Sequence, residues 1–121
     1  MIRAPDTYRA GVAGAPVVDW YDYDTFYTER YLGVPPVDSA AYERSSVLTH
    51  AASLSRPLLV IHGAFDPVVP FEHGERLYES ADEPRRRVWL PMDDYVRALE
   101  DKGAALEVRD FFDEARPVPA I

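Results

Sequence analysis

A short apolar run in the middle of the chain constrains the fold more than any other feature. Residues 58–62 read Leu-Leu-Val-Ile-His, with Pro57 before them and Gly63 after them. A run this short and this apolar, bounded by residues that break helices, is typical of a β-strand buried on both faces. Such a strand needs helices on both sides of its sheet, so the run predicts an α/β protein.

Weaker patterns on either side of this run predict the remaining elements. Apolar stretches at residues 10–18 and 87–90 predict strands, and residues 106–112 alternate as a half-exposed strand does. Helical spacing and breaking residues predict a helical excursion and loop over residues 20–42 and helices over residues 39–43, 71–81 and 92–102, the last with Gly103 as C-cap. This alternation predicts a mostly parallel sheet of about three to four strands with flanking helices.

Composition limits the partners of the chain. The 121 residues allow one domain, and a net charge of −8 disfavours nucleic acids and anionic membranes. No apolar run approaches the length of about 20 residues that a membrane-spanning helix needs, and no signal peptide is recognised, so we expect a soluble chain of unassigned compartment. Cysteine is absent and the three histidines match no zinc-ligand spacing, so the sequence predicts no metal and no cofactor.

Asp66 is the strongest candidate for a catalytic residue. It follows the buried strand by three residues, and the carboxyl ends of parallel strands open onto the crevice where α/β proteins place functional groups. In a nucleophile–His–acid arrangement, such an acid orients the imidazole and stabilises its protonated form. The alternative is an acid that accepts hydrogen bonds within its own turn and has no catalytic role.

Aromatic residues are concentrated between positions 20 and 31. The cluster consists of Trp20, Tyr21, Tyr23, Phe26, Tyr27 and Tyr31, with acidic residues between them. Large rings with polar tips can line a pocket for an apolar side chain, and they can equally pack inward as a small satellite core. No Gly-x-Ser-x-Gly motif and no phosphate-binding glycine loop occurs in the sequence, so no nucleophile is evident.

Several motifs between residues 4 and 73 occur together in one known family. They are Ala15-Pro16-Val17, Trp20, Tyr23-Asp24, Tyr27-Thr28-Glu29-Arg30-Tyr31-Leu32-Gly33, Tyr42, Ser45-Ser46 and Leu59-Val60-Ile61-His62-Gly63 with Asp66. In these residues the chain resembles the catalytic domain of the prolyl oligopeptidase family of serine peptidases, especially its dipeptidyl peptidase IV branch.

The resemblance implies the C-terminal portion of an α/β-hydrolase fold, with residues 1–121 forming a single, incomplete catalytic domain. It implies that Asp66 is the acid of a catalytic triad. It also implies that five residues match positions lining an apolar, proline-type pocket for the residue before the scissile bond, namely Val17, Trp20, Tyr23, Tyr27 and Val69. The expected partner is then a peptide substrate, bound once the rest of the domain is present.

The chain departs from the family at three points. The family's nucleophilic Ser lies upstream of the matched region, and Pro67 and Val68 stand where the family has a second Asp and a substrate-binding Asn. The family's catalytic His follows its last strand, yet neither residues 88–91 nor residues 106–112 are followed by a His. We therefore expect a serine peptidase fragment that is inactive alone.

Two alternatives remain at this stage, a non-catalytic peptide-binding or assembly module and a truncated or artificial hydrolase sequence. In the family, the strand that begins near Ala10 pairs with the strand that carries the nucleophile. Without that neighbour its edge is unpaired, and we expect the chain to self-associate there.

Overall fold

The structure, a computed structural model, describes residues 1–91 and 100–116. Three parallel strands form its sheet in the order β1-β2-β3: β1 (Gly11–Gly14), β2 (Leu58–Gly63) and β3 (Arg85–Leu90). Gly11 lies opposite Leu58, and Leu58 lies opposite Arg85, so all three strands end at the same edge of the sheet. The predicted α/β class and parallel sheet are confirmed.

Helices occupy the connections between the strands. A 3-10 turn (Trp20–Asp22) and helices α1 (Thr25–Leu32), α2 (Ser39–Ser45) and α3 (Leu48–Ala51) lie between β1 and β2. Helix α4 (Phe71–Ser80) connects β2 to β3, and α5 (Lys102–Glu114) follows β3. The helices predicted at residues 39–43 and 71–81 are confirmed, whereas most of the helix predicted over residues 92–102 lies outside the described residues.

Strand β2 is the centre of the core. All six of its residues are buried, and alternate side chains enter two different clusters because successive side chains of a strand point to opposite faces. Leu58 and Val60 pack with α3 and α4 residues, whereas Leu59 and Ile61 pack with Phe111 of α5. Burying each of these large side chains contributes about 1.5–3 kcal/mol. The apolar run therefore fixes the sheet between two helical layers.

Residues 106–112 form part of helix α5, so the prediction of a strand there is wrong. Asp101 caps this helix by accepting a hydrogen bond from the backbone N–H of Ala104 at 3.0 Å, and Gly103 lies in its first turn rather than at a C-cap. The core-facing residues of α5 are Ala104, Val108 and Phe111, at spacings of four and three. The apolar residues in this segment fit both the two-residue period of a strand and the 3.6-residue period of a helix. Packing against β2 favours the helix.

Strand β1 ends earlier than the sequence predicts. Ala15 adopts a positive φ of 39°, which turns the chain out of the extended conformation directly after Gly14. The backbone N–H groups of Gly11 and Ala15 donate to the carbonyl oxygens of Pro57 and Ile61, so alternate residues face β2. Val12 therefore directs its N–H away from the sheet, at an edge that no other strand covers within residues 1–91 and 100–116.

None of the helices in the described part of the chain combines the length and the apolar character needed to cross a membrane.

Candidate functional site

Asp66 lies on the tight turn that leaves β2. Its backbone N–H donates to the carbonyl of Gly63 at 3.3 Å, and the N–H of Ala64 donates to the carbonyl of Leu90 at 2.7 Å. The second bond ties this turn to the end of β3. The sequence prediction that an acid follows the carboxyl end of the central strand therefore agrees with where the structure places Asp66.

The side chain of Asp66 is fixed by its own loop. Oδ1 accepts hydrogen bonds from the backbone N–H groups of Val68 at 2.8 Å and Val69 at 2.9 Å, which is the turn arrangement foreseen as the non-catalytic alternative. Among the described residues, Oδ2 has no hydrogen-bond partner. Asp66 is partly exposed, so this second oxygen is free to accept a bond from an imidazole. The turn role and a triad role are thus compatible in one side chain.

The predicted aromatic residues make direct contact with one another. The ring of Trp20 lies 5.7 Å from that of Tyr23 and 6.0 Å from that of Tyr27, and the Tyr23 and Tyr27 centroids are 5.9 Å apart. Tyr31, one helical turn after Tyr27 in α1, extends the group with a centroid distance of 4.9 Å. We call Trp20, Tyr23, Tyr27 and Tyr31 the aromatic cluster.

The aromatic cluster lies at the surface and is not a satellite core. Trp20 and Tyr23 are only half-buried, and Tyr27 and Tyr31 remain 47% and 65% exposed. Pairs of rings with edge-to-face or offset contacts stabilise each other by about 0.5–1.5 kcal/mol, so the cluster keeps its shape without full burial. It offers a preformed aromatic surface, to which its three tyrosines add phenolic hydroxyl groups.

Helix α1 presents Tyr27 and Tyr31 because its two ends are fixed. Asp24 caps the first turn by accepting a hydrogen bond from the N–H of Phe26 at 3.0 Å. The helix ends at Gly33, whose φ of 81° and ψ of −167° lie in a region that only glycine adopts readily. These local signals in the sequence therefore place the exposed tyrosines.

The two predicted valines are located differently from the rings. Val69 is buried in the loop after β2, and Val17 lies on the segment after β1. Val17 lines an apolar cavity of about 530 Å³ beside β1, together with Val12, Leu54 and Leu77, and no residue of the aromatic cluster lines that cavity. The structure thus joins Trp20, Tyr23 and Tyr27 by ring contacts and places the valines on neighbouring segments at the same edge of the sheet.

Two buried histidines support this edge. Nδ1 of His73 in α4 accepts a hydrogen bond from the backbone N–H of Val18 at 3.0 Å, whereas Nδ1 of His62 lies 3.0 Å from the carbonyl oxygen of Gly63. In the described part of the chain, Nε2 of each ring is buried without a hydrogen-bond partner. Gly74 allows the close approach of α4, because a Cβ there would come within 2.8 Å of Cδ2 of His62. His73 is therefore structurally engaged and is not placed to act as the missing base.

Burial lowers the pKa of His73 from its ordinary value of 6.5. The carboxylates of Asp22 and Asp19 oppose this shift, and the charge of Arg76 reinforces it. His73 is therefore neutral at pH 7, which is the state in which Nδ1 can accept the Val18 N–H.

Sequence reasoning missed one polar contact of the site. Arg76 in α4 forms ion pairs at 3.0 Å with both Asp19 and Asp22, which flank Trp20. The partners are 57 and 54 residues apart in sequence, so no local pattern reveals them. Within residues 1–91 and 100–116, no group of three or more His, Cys, Asp or Glu side chains could hold a metal ion.

The fold and the site define a class of protein. A parallel sheet between helices, with an acid directly after its central strand and an aromatic surface at the same edge, has the architecture of an α/β-hydrolase fold. The family model of the prolyl oligopeptidase family matches residues 1–95, and the chain belongs to that family.

Its relatives include dipeptidyl peptidases. The chain is 38% identical over 82 residues to a probable dipeptidyl-aminopeptidase B of Metarhizium robertsii, covering 67% of this chain and 9% of that protein. It is 42% identical over 76 residues to dipeptidyl peptidase 8 of Homo sapiens, covering 60% of this chain and 8% of that protein. The chain thus spans less than a tenth of the length of these relatives.

Solved structures give the same result. The chain superposes on dipeptidyl peptidase 4 of Porphyromonas gingivalis with a TM-score of 0.79 at 28% identity, over 93% of this chain and 17% of that one. A putative dipeptidyl aminopeptidase IV of Bacteroides ovatus, 24% identical with a TM-score of 0.73, shares the fold over 93% of this chain and 17% of its own. The predicted family and its dipeptidyl peptidase IV-like branch are confirmed.

Proposed function

We propose that this chain supplies the triad acid and much of the substrate pocket of a serine peptidase of the dipeptidyl peptidase type. The observation that carries the proposal is the position of Asp66 at the carboxyl end of buried strand β2. Two backbone N–H groups hold its Oδ1, and its Oδ2 has no hydrogen-bond partner within residues 1–91 and 100–116. In such a triad the acid orients a His, which removes the proton from a Ser nucleophile.

The substrate in this proposal is a peptide with proline before the scissile bond. A pyrrolidine ring is compact and apolar, and it fits against flat aromatic surfaces such as those of Trp20, Tyr23 and Tyr27. Val17 and Val69 complete the pocket once the rest of the domain closes the site. Pro67 and Val68 have no side-chain amide that could hold the peptide carbonyl, as the family's Asn does. The proposal therefore covers binding of proline and does not extend to the release of dipeptides.

By itself the chain does not hydrolyse peptides in this account. Its sequence contains no Gly-x-Ser-x-Gly motif and no His after His73, and an isolated acid acts only through the imidazole that it orients. The purified chain is treated with a fluorophosphonate probe and with Ala-Pro-p-nitroanilide. We expect neither covalent labelling nor release of p-nitroaniline, and either signal would refute the inactivity of the chain.

A second candidate function is peptide binding without chemistry. The exposure of Tyr27 and Tyr31 favours it, because an exposed cluster of rings can bind a peptide without any catalytic group. A chimera distinguishes the two candidates. In this chimera, residues 1–91 replace the segment of the Porphyromonas gingivalis enzyme on which they superpose. The rest of that enzyme supplies the remaining catalytic groups. An active chimera supports the peptidase, whereas a folded chimera that binds Ala-Pro and is inactive supports the binding module.

A further inference from the structure

Helix α4 holds the segment that leads into the aromatic cluster at two points. His73 accepts the N–H of Val18, and Arg76, one helical turn later on the same face, pairs with Asp19 and Asp22. The first bond fixes the backbone where the segment leaves β1. The second contact holds the 3-10 turn that carries Trp20.

Arg76 neutralises two carboxylates that face the same side of the 3-10 turn. Asp19 caps the turn through Oδ1, which accepts the N–H of Tyr21 at 3.2 Å, and its Oδ2 faces Arg76. Asp22 at the other end of the turn directs a second carboxylate to the same guanidinium. Like charges on one side of a short turn repel, and a planar guanidinium with several donors can bridge both.

The bridge matters more than an ordinary surface ion pair because one carboxylate is poorly hydrated. The side chain of Asp19 is only 19% exposed, whereas that of Asp22 is 54% exposed. Fully exposed pairs contribute little, since water screens them and their side chains remain free to move. Loss of Arg76 would leave Asp19 partly buried without its cation and close to a second negative charge.

We propose that Arg76 is a positioning residue for the substrate pocket. By pairing with Asp19 and Asp22 it maintains the conformation of the 3-10 turn, and the turn holds Trp20 against Tyr23 and Tyr27. The inference rests on the proposed function in taking the aromatic cluster as the peptide-binding surface. Arg76 itself need not touch the peptide. Its effect reaches the pocket through the orientation of one indole ring.

Fluorine NMR of the full chain labelled with 5-fluorotryptophan tests the proposal directly. The chain contains two tryptophans, and the variant Trp89→Phe assigns the two resonances. We expect Arg76→Ala to shift and broaden the Trp20 resonance and to leave the Trp89 resonance in place. An unchanged Trp20 resonance would overturn the proposal, as would an equal change in both resonances, which would indicate general loosening.

Two further variants separate the bridge from a general effect of charge. Arg76→Lys can pair with only one carboxylate at a time, so we expect partial recovery of the Trp20 resonance. In Arg76→Ala/Asp22→Asn the repulsion is removed, and partial recovery is again expected. The matched control is Arg109→Ala, which removes an arginine that pairs with its neighbour Asp110 in α5 and should leave both resonances unchanged. Failure of both recoveries would contradict the bridging role.

Binding of the dipeptide Ala-Pro, followed through the same Trp20 resonance and by calorimetry, links the position of the ring to function. We expect Arg76→Ala to raise the Kd about threefold to tenfold, the range that a partly exposed ion pair can account for. An unchanged Kd with a shifted Trp20 would overturn the role in the pocket. If the chain alone does not bind Ala-Pro, the two Kd values are compared in the chimera that carries residues 1–91. A folded chimera that does not bind Ala-Pro would contradict the proposed function, while the NMR comparison still decides whether Arg76 positions Trp20.

Discussion

The bond between α4 and Val18 predicts a large loss of stability on His73→Ala. His73 is 1% exposed and Val18 is 0% exposed, so the Val18 N–H has no access to water once its acceptor is removed. A buried donor without a partner costs about 1–3 kcal/mol, and removal of a large buried side chain costs about 2–5 kcal/mol. Nε2 of His73 lacks a partner already, which reduces the loss. We expect a decrease of about 3–5 kcal/mol in the free energy of unfolding.

The pH dependence of this contribution has a definite sign. Because burial lowers the pKa of His73, the unfolded chain binds a proton at this residue more readily than the folded chain does. The pH-dependent part of this contribution is therefore fully present above the ordinary pKa of 6.5 and is lost as the pH falls from 6.5 through the lowered pKa of the folded state. The difference between wild type and His73→Ala should shrink in that window.

Urea unfolding followed by circular dichroism, at pH 7.5 and at steps down to pH 5, measures both effects. The variant His73→Asn keeps a side-chain oxygen that can accept the Val18 N–H, so we expect it to recover part of the loss. His50→Ala removes an exposed histidine of α3 and should stay within about 0.5 kcal/mol of wild type. A loss below 1 kcal/mol for His73→Ala, or a difference that grows on acidification, would refute the reasoning.

Three further changes test the fold. In urea unfolding, Phe111→Ala should destabilise the chain by about 3–5 kcal/mol and Phe112→Ala by less than about 1 kcal/mol, because only Phe111 is buried against β2. The reverse order would favour the strand that the sequence predicts over residues 106–112. Gly33→Ala should cost about 1–3 kcal/mol in the same assay, since its φ of 81° suits glycine alone, and a neutral effect would contradict that conformation. Self-association at the β1 edge should appear in sedimentation velocity as a sedimentation coefficient that increases with protein concentration. Val12→Pro should suppress this increase, because it removes an N–H that points away from the sheet. A wild-type chain that stays monomeric at all concentrations would contradict self-association through this edge.

The parts of the fold that the sequence predicts are those with local causes. Leu59 and Ile61 belong to a run that is apolar at every position, and only a strand covered on both faces buries such a run within so few residues. Asp66 follows from the same element, because the carboxyl edge of a parallel sheet determines where the next residues lie. The family resemblance predicts pocket-lining roles for Trp20 and Tyr27, which composition alone left open.

The parts that the sequence does not predict depend on contacts between distant segments. Residues 106–112 fit both periods, and the choice of a helix depends on how Phe111 docks against β2. The Arg76 pairs with Asp19 and Asp22 join α4 to a turn more than fifty residues earlier, and the sequence shows these acids only as charges among the aromatic residues. Polar contacts of this kind become visible only when the packing of the elements is known.

The most direct test of the account is the activity of Asp66→Asn in the chimera that carries residues 1–91. Hydrolysis of Ala-Pro-p-nitroanilide is compared with that of the unmutated chimera, and Asp6→Asn, at an exposed carboxylate, serves as the matched control. We expect an active chimera in which Asp66→Asn lowers kcat by about 10⁴-fold and Asp6→Asn has no effect. A folded but inactive chimera, or an Asp66→Asn variant within tenfold of its parent, would contradict the assignment of Asp66 as the triad acid.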